Sequence, residues 1–169
     1  YPDFSAAIVG AVMPEQMPFA SELKRKIEAA GLQSRIVVTG ELPIADVQRW
    51  YQRLTIYAFT SRNEGFGLTL IEAMASGSAL VAARAGAADL VVEDGVTGIL
   101  VPPGDAAALA AALEPLMRDP AAALAMGAST RQIVFKVLLP EALPGIVAGL
   151  TITLVSLTGY SAMAGAIGG

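Results

Sequence analysis

The chain contains neither cysteine nor histidine, and these two absences exclude several chemistries at once. Without thiols there is no disulfide framework and no thiolate nucleophile. Without imidazole there is no histidine base and no zinc site of the common kind. Any catalysis must therefore use carboxylates, hydroxyls, lysine, arginine or backbone dipoles.

Charge is also scarce, because charged residues make up 15% of the chain and apolar residues 54%. The formal net charge is -4 and the sequence pI is near 4.8. Proteins that bind a phosphate backbone normally display a basic surface, so nucleic acid is not an expected partner. The apolar excess instead raises the question of membrane contact.

Apolar runs rich in β-branched residues alternate with helical stretches over about the first 118 residues. This alternation predicts an α/β fold, a Rossmann-like parallel sheet flanked by helices. The candidate strands are 6–9, 35–38, 55–59, 79–82 and 98–101. The candidate helices are 18–30, 44–53, 67–76 and 105–117, with Gly31 and Gly77 as C-terminal stops and Asp105 near an N-cap.

The most informative segment is 61–75, which follows a predicted strand and opens a helix. Gly65 and Gly67 let the backbone approach a ligand, and the free N–H groups of the following helix favour a phosphate. Glu64 and Glu72 would flank this amide cradle, so two carboxylates could accept hydrogen bonds from sugar hydroxyls. An acidic residue near a helix N-terminus also occurs merely as a complement to the helix dipole, so the spacing alone leaves ligand binding open.

The letters E-G-F-G-L-T-L-I-E-A-M-A, from Glu64 onward, resemble the paired-glutamate motif of retaining GT-B glycosyltransferases. The family is the group 1 family that includes lipopolysaccharide-core mannosyltransferases. Segments 36–43, 50–62 and 93–105 resemble, in order, the family's nucleobase-side turn, the helix and strand before the motif, and the final strand. The resemblance implies that residues 1–120 form a nucleotide-sugar-binding domain, part of the GT-B C-terminal domain.

The resemblance also implies a donor site for a nucleotide-diphosphate sugar such as a GDP- or UDP-sugar. Its residues are Leu42, Glu64, Gly65, Phe66, Gly67, Leu68, Thr69 and Glu72. Glu64, as the catalytic residue, and the backbone of the next three residues would hold the donor sugar. The amides of Leu68 and Thr69 would face the diphosphate, Glu72 would bind the ribose, and Leu42 would lie near the base. No metal or other cofactor is implied, and transfer to an acceptor hydroxyl would rely on stabilising the departing diphosphate.

The family's arginine and lysine that grip the diphosphate, and its N-terminal acceptor domain, correspond to segments that would precede residue 1. We therefore expect the chain to be inactive in isolation. Lys24, Arg25 and Lys26 lie on a charged helix and are interpreted as a solvated face, not as substitutes.

The C-terminal part differs, because no charged residue occurs between 142 and 169. This stretch exceeds the roughly 20 residues that a helix needs to span a bilayer. Ala121–Ala123, Gly127, Val137 and Leu139–Pro140 follow the spacing of the coupling loop of ABC-importer permeases, and 136–169 resembles a methionine-type importer permease. We predict a hydrophobic helical tail over 121–169, and a chimeric chain.

Two alternatives to a glycosyltransferase donor domain remain open. One is an ABC-importer permease fragment acting in membrane transport, and the other is an inactive chimeric scaffold. In the second, the tail merely packs on the open sheet edge. Separately, the tail could be a divergent C-terminal helix of the glycosyltransferase, which in that fold crosses back to the other domain. The expected location is cytoplasmic, with contact to the inner membrane or a permease subunit through 142–169.

Overall fold

The computed structural model describes residues 4–62, 67–86, 88–126, 139–140, 142–148 and 151. Among these residues the strands are β1 (Ala6–Val9), β2 (Ile36–Gly40), β3 (Ile56–Phe59), β4 (Ala79–Ala83) and β5 (Ile99–Val101). The helices up to residue 126 are α1 (Met17–Ala29), α2 (Ile44–Tyr51), α3 (Leu68–Ala75), α4 (Ala88–Val91), α5 (Ala106–Arg118) and α6 (Pro120–Met126). A 3₁₀ turn at Pro14–Gln16 precedes α1.

All strand pairs among the described residues are parallel, which confirms the predicted α/β class. The strands form two sheets, however, with orders β1-β2 and β3-β4-β5, where the sequence predicted one. Each pair of consecutive strands within a sheet is separated by enough chain to cross over, as parallel pairing requires. The division between β2 and β3 could not be read from the sequence, because strand pairing is not encoded in the period of a strand.

The three-stranded sheet has helices on both faces. Leu80 and Ala82 of β4 join a core with α3 and α4, whereas Ala79 and Val81 join a core with α5 and α6. All five residues of β4 are buried, as expected for a central parallel strand covered on both faces. The strand β3 and the helix α3 therefore belong to a well-packed part of the fold, the three-stranded sheet and its covering helices.

The predicted helix boundaries are confirmed to within a few residues. Helices α1 and α3 end just before Gly31 and Gly77, respectively. Asp105 caps α5, because its side chain accepts a hydrogen bond of 2.9 Å from the Ala108 N–H. The short helix α4 and the helix α6 were not predicted as separate elements.

Part of the apolar tail is described. Residues 139–140, 142–148 and 151 are helical, and Leu139, Leu143, Ile146 and Val147 are exposed. Within the described ranges, no helix is both long and apolar enough to cross a membrane. Most of the predicted tail, including Gly127, Val137 and residues 152–169, lies outside the described residues.

Candidate functional site

The candidate site lies where the chain leaves β3 and enters α3. Gly67 caps the helix with φ 71° and ψ 37°, which is the left-handed region that side chains disfavour. Its carbonyl accepts hydrogen bonds from the N–H groups of Leu70 and Ile71, at 2.9 and 3.2 Å. This glycine therefore fixes the direction in which the first turn of α3 begins.

The first turn of α3 carries the amides that the sequence predicted to face a diphosphate. The N–H groups of Leu68 and Thr69 have no carbonyl partner within the helix, because the first turn lacks a preceding one. They lie at the positive end of the helix dipole, where an anion is favoured. Leu68 is 60% exposed and Thr69 is half-buried, so this end of the helix is open on at least one side.

The next turn of α3 presents Glu72. The helix buries Leu70, Ile71, Ala73 and Met74 against the sheet, whereas Glu72 is exposed. A residue four positions after another lies on the same helix face, and helical side chains lean towards the N-terminus. Glu72 is thus on the same face of the helix as Leu68.

Two tyrosines from neighbouring elements, Tyr51 at the end of α2 and Tyr57 of β3, lie next to each other. The two tyrosine rings lie 5.8 Å apart with an angle of 45° between their planes. Burial first, and then the neighbouring Tyr57 and Glu72, raise the pKa of Tyr51 far above the ordinary value for tyrosine, so its hydroxyl stays protonated.

The other end of α3 is fastened to the α2–β3 turn. Ser78 is fully buried, and its hydroxyl donates a hydrogen bond of 3.1 Å to the carbonyl oxygen of Leu54. Ser76 lies 2.9 Å from the same hydroxyl, and the N–H of Ala79 donates to the carbonyl of Thr55. The helix that carries Glu72 and the turn that follows Tyr51 are therefore held together at this end.

Of the four other predicted site residues, the structure describes only Leu42. Leu42 is half-buried in the turn between β2 and α2, so it follows a strand of the other sheet. Glu64, Gly65 and Phe66 lie outside the described residues.

The basic residues considered as possible diphosphate ligands are either paired with aspartates or exposed to solvent. Arg84 follows β4 at the same sheet edge, but its guanidinium is paired with Asp89 at 2.9 Å and with Asp94 at 2.8 Å. Lys24, Arg25 and Lys26 are exposed on α1, which confirms their interpretation as a solvated face. In the part of the chain that the structure describes, no group of three acidic side chains could hold a metal ion.

Sequence reasoning missed Tyr51 and Tyr57 as parts of the site. Tyr51 ends a helix and Tyr57 lies on a strand, so no single period relates the two positions to Glu72. The available signal was the tyrosines themselves: one ends the helix before the strand that leads into the motif, and the other lies on that strand.

Residues 2–119 match the family model described as "Glycosyl transferases group 1". The chain belongs to this family. Among curated proteins, it is 47% identical over 125 residues to the lipopolysaccharide core biosynthesis mannosyltransferase LpcC of Rhizobium leguminosarum bv. viciae. That alignment covers 74% of this chain and 35% of the relative, so the chain spans about a third of the relative's length.

Two solved structures resemble the chain. The C-terminal domain of the group 1 family protein LpcC from Francisella tularensis is 35% identical, with a TM-score of 0.69 over 75% of this chain and 65% of that one. HepE from Anabaena in complex with UDP is 28% identical, with a TM-score of 0.74 over 88% of this chain and 42% of that one. Both support a GT-B-like α/β fold.

The C-terminal region also matches a second family. Residues 109–169 match the model described as "Binding-protein-dependent transport system inner membrane component". The chain is 68% identical over 44 residues to the D-methionine transport system permease protein MetI of Yersinia pestis, which covers 26% of this chain and 20% of that protein. The permease likeness is thus short and confined to one end of the glycosyltransferase-family chain.

Proposed function

We propose that this chain binds the nucleotide-diphosphate sugar of a retaining glycosyltransferase, at the N-terminus of α3. One observation carries the proposal: Gly67 begins α3 in the left-handed region, and Glu72 is exposed on the helix face that it shares with Leu68. A diphosphate suits free N–H groups at a helix N-terminus, and a carboxylate suits the hydroxyls of a ribose. The group 1 relatives and the UDP complex of HepE support the same ligand class.

In this proposal each residue of the site contacts a different part of the nucleotide sugar. The amides of Leu68 and Thr69 bind the diphosphate, Glu72 binds the ribose, and Leu42 lies near the base. Glu64, with the backbone of Gly65, Phe66 and Gly67, binds the donor sugar. Transfer to the acceptor hydroxyl with retention would rely on the amides stabilising negative charge as the diphosphate departs.

We also propose that the chain binds a donor without transferring sugar by itself. It spans about a third of the curated relative that it matches. The arginine that follows β4 is already neutralised by two aspartates, so it is poorly placed to compensate a diphosphate as well. Residues 1–120 would form the binding domain, together with α6, whose Ala123 is buried in the same core. The rest of 121–169 would form the tail.

Calorimetry with GDP and UDP tests the donor site. We expect binding in the millimolar range or tighter, and a loss of about tenfold in affinity in Glu72→Ala, because a hydrogen bond to a charged group is removed. Glu28→Ala, on the exposed surface of α1, is the matched control and should bind like the original chain. Absence of heat with either nucleotide at millimolar concentration would refute the proposed function.

A further inference from the structure

Arg84 lies at the carboxyl edge of the three-stranded sheet, directly after the last residue of β4. Its main-chain N–H donates a hydrogen bond of 2.8 Å to the carbonyl oxygen of Val101, at the end of β5. The backbone from which this side chain extends is therefore fixed by the sheet.

The guanidinium of Arg84 joins two segments that follow it in the chain. Its Nη1 donates to the carboxylate of Asp89, in the first turn of α4, at 2.9 Å. Its Nη2 donates to Asp94, which precedes β5, at 2.8 Å. The other oxygen of Asp94 accepts a hydrogen bond of 2.9 Å from the main-chain N–H of Leu100 in β5. One planar guanidinium thus bridges α4 to a carboxylate that is itself fixed to the sheet.

This bridge is too exposed to contribute much to the stability of the fold. The side chains of Arg84, Asp89 and Asp94 are each nearly half exposed, and water screens exposed ion pairs. What a forked guanidinium provides is geometry, because its N–H groups point in fixed directions. Its effect is therefore expected in the placement of α4 and not in the free energy of unfolding.

The helix that the bridge holds, α4, packs against α3. Ala88 of α4 and Val92, the residue after this helix, are both buried. They share one core with Leu70 and Ile71 of α3. The N–H groups of Leu70 and Ile71 in turn donate to the carbonyl oxygen of Gly67. A shift of α4 would thus be transmitted to the first turn of α3.

We propose that Arg84 is a positioning residue that, through Asp89, holds α4 against α3 and so sets the first amides of α3 for the diphosphate of a nucleotide. The inference rests on the proposed function and names a residue that supports the site without touching the ligand. It also gives the two aspartates a role, because each occupies one terminal nitrogen of the guanidinium.

A direct contact between Arg84 and the diphosphate would have the opposite electrostatic consequence. An arginine that binds phosphate gains affinity when a competing carboxylate is neutralised. A positioning arginine loses its effect on α4 when the same carboxylate is neutralised, because the bridge is broken. Neutralising Asp89 therefore changes the affinity for a diphosphate in opposite directions under the two roles.

The test measures the preference for UDP over UMP, and for GDP over GMP, by calorimetry on the full chain. The original chain should prefer each diphosphate by roughly tenfold, because the second phosphate adds hydrogen bonds to a charged group. In Asp89→Asn and in Arg84→Gln this preference should fall below about threefold. The double variant should fall no further, because both changes break one bridge.

The matched control is Asp46→Asn. It removes the same charge from the first turn of another helix, α2, where Asp46 pairs with Arg49 at 2.6 Å in an exposed ion pair. The preference for a diphosphate should stay within about twofold of the original value in this variant.

Amide NMR of the chain without nucleotide checks the path from α4 to α3. Asp89→Asn should shift the amide signals of Leu70 and Ile71, whereas Asp46→Asn should leave them in place. Unmoved signals in Asp89→Asn overturn the inference, whatever nucleotide the site binds.

The preference ratio separates positioning from stability. A variant that merely loosens the fold weakens the binding of both nucleotides equally and leaves the ratio unchanged. An unchanged or raised preference in Asp89→Asn overturns the inference and leaves the proposed function standing. Equal binding of mono- and diphosphates by the original chain overturns the inference as well, whereas no binding of any nucleotide overturns the proposed function together with it.

Discussion

Tyr51 shows how one residue can couple pH to both stability and the site. Burial, Tyr57 and Glu72 raise its pKa in the folded chain, whereas in the unfolded chain it ionises near pH 10. The stabilisation from the neutral phenol is therefore complete below about pH 10 and is lost as pH rises above that value.

We predict that the stability of the original chain falls more steeply above pH 10 than that of Tyr51→Phe. Urea unfolding at several pH values between 8 and about 11.5 measures this, and the difference between the two slopes removes the contribution of lysines. Absorbance near 295 nm should show one tyrosine of the original chain that ionises only as the chain unfolds. Identical slopes in the two proteins would contradict the electrostatic assignment of Tyr51.

At the scale of elements, the left-handed backbone of Gly67 sets the direction in which α3 begins after β3. We predict that Gly67→Ala destabilises the fold by about 1–2 kcal/mol, because an L side chain is strained at this backbone angle. Nucleotide affinity should fall as well, since the amides of Leu68 and Thr69 would be turned. Thermal unfolding and calorimetry measure the two effects.

The control for this prediction is Gly67→Asn. Asparagine tolerates the left-handed region better than alanine, so part of both losses should be recovered. Equal stability of the alanine and asparagine variants would indicate that backbone angle is not what this position requires.

The same elements show what the sequence could predict and what it could not. The five strands and the main helices could be placed because β-branched runs, Gly31, Gly77 and Asp105 mark them locally. The division into two sheets depends on which strands pair, and the Tyr51–Tyr57 ring contact depends on how a helix and a strand meet in the fold. Both depend on tertiary packing, which the hydrophobic periodicity of a single segment does not predict. The donor role of Glu64 stays a prediction.

At the scale of the whole molecule, the position of α6 bears on where the folded unit ends. The sequence placed a boundary at residue 120, yet Ala123 of α6 is fully buried in the core with Val81 and Leu116. Helix α6 thus covers one face of the central sheet, although it lies in the region that the sequence assigned to the tail.

We predict that a chain ending at residue 126 unfolds at nearly the same temperature as the full chain. A chain ending at residue 119 should be less stable by about 2.5 kcal/mol, if roughly 100 Å² of apolar surface is exposed at ~25 cal/mol per Å². Thermal unfolding of the two truncated chains distinguishes them. Equal stability of both would place the end of the folded unit before α6.

The central claim is that a nucleoside diphosphate binds at the amides that begin α3. The most direct measurement is a titration of the ¹⁵N-labelled chain with GDP and UDP, followed by amide NMR. The account predicts that the Leu68 and Thr69 amide signals shift most, in proportion to bound nucleotide, and that these shifts diminish in Glu72→Ala. Shifts confined to other parts of the chain, or none at millimolar nucleotide, would contradict it.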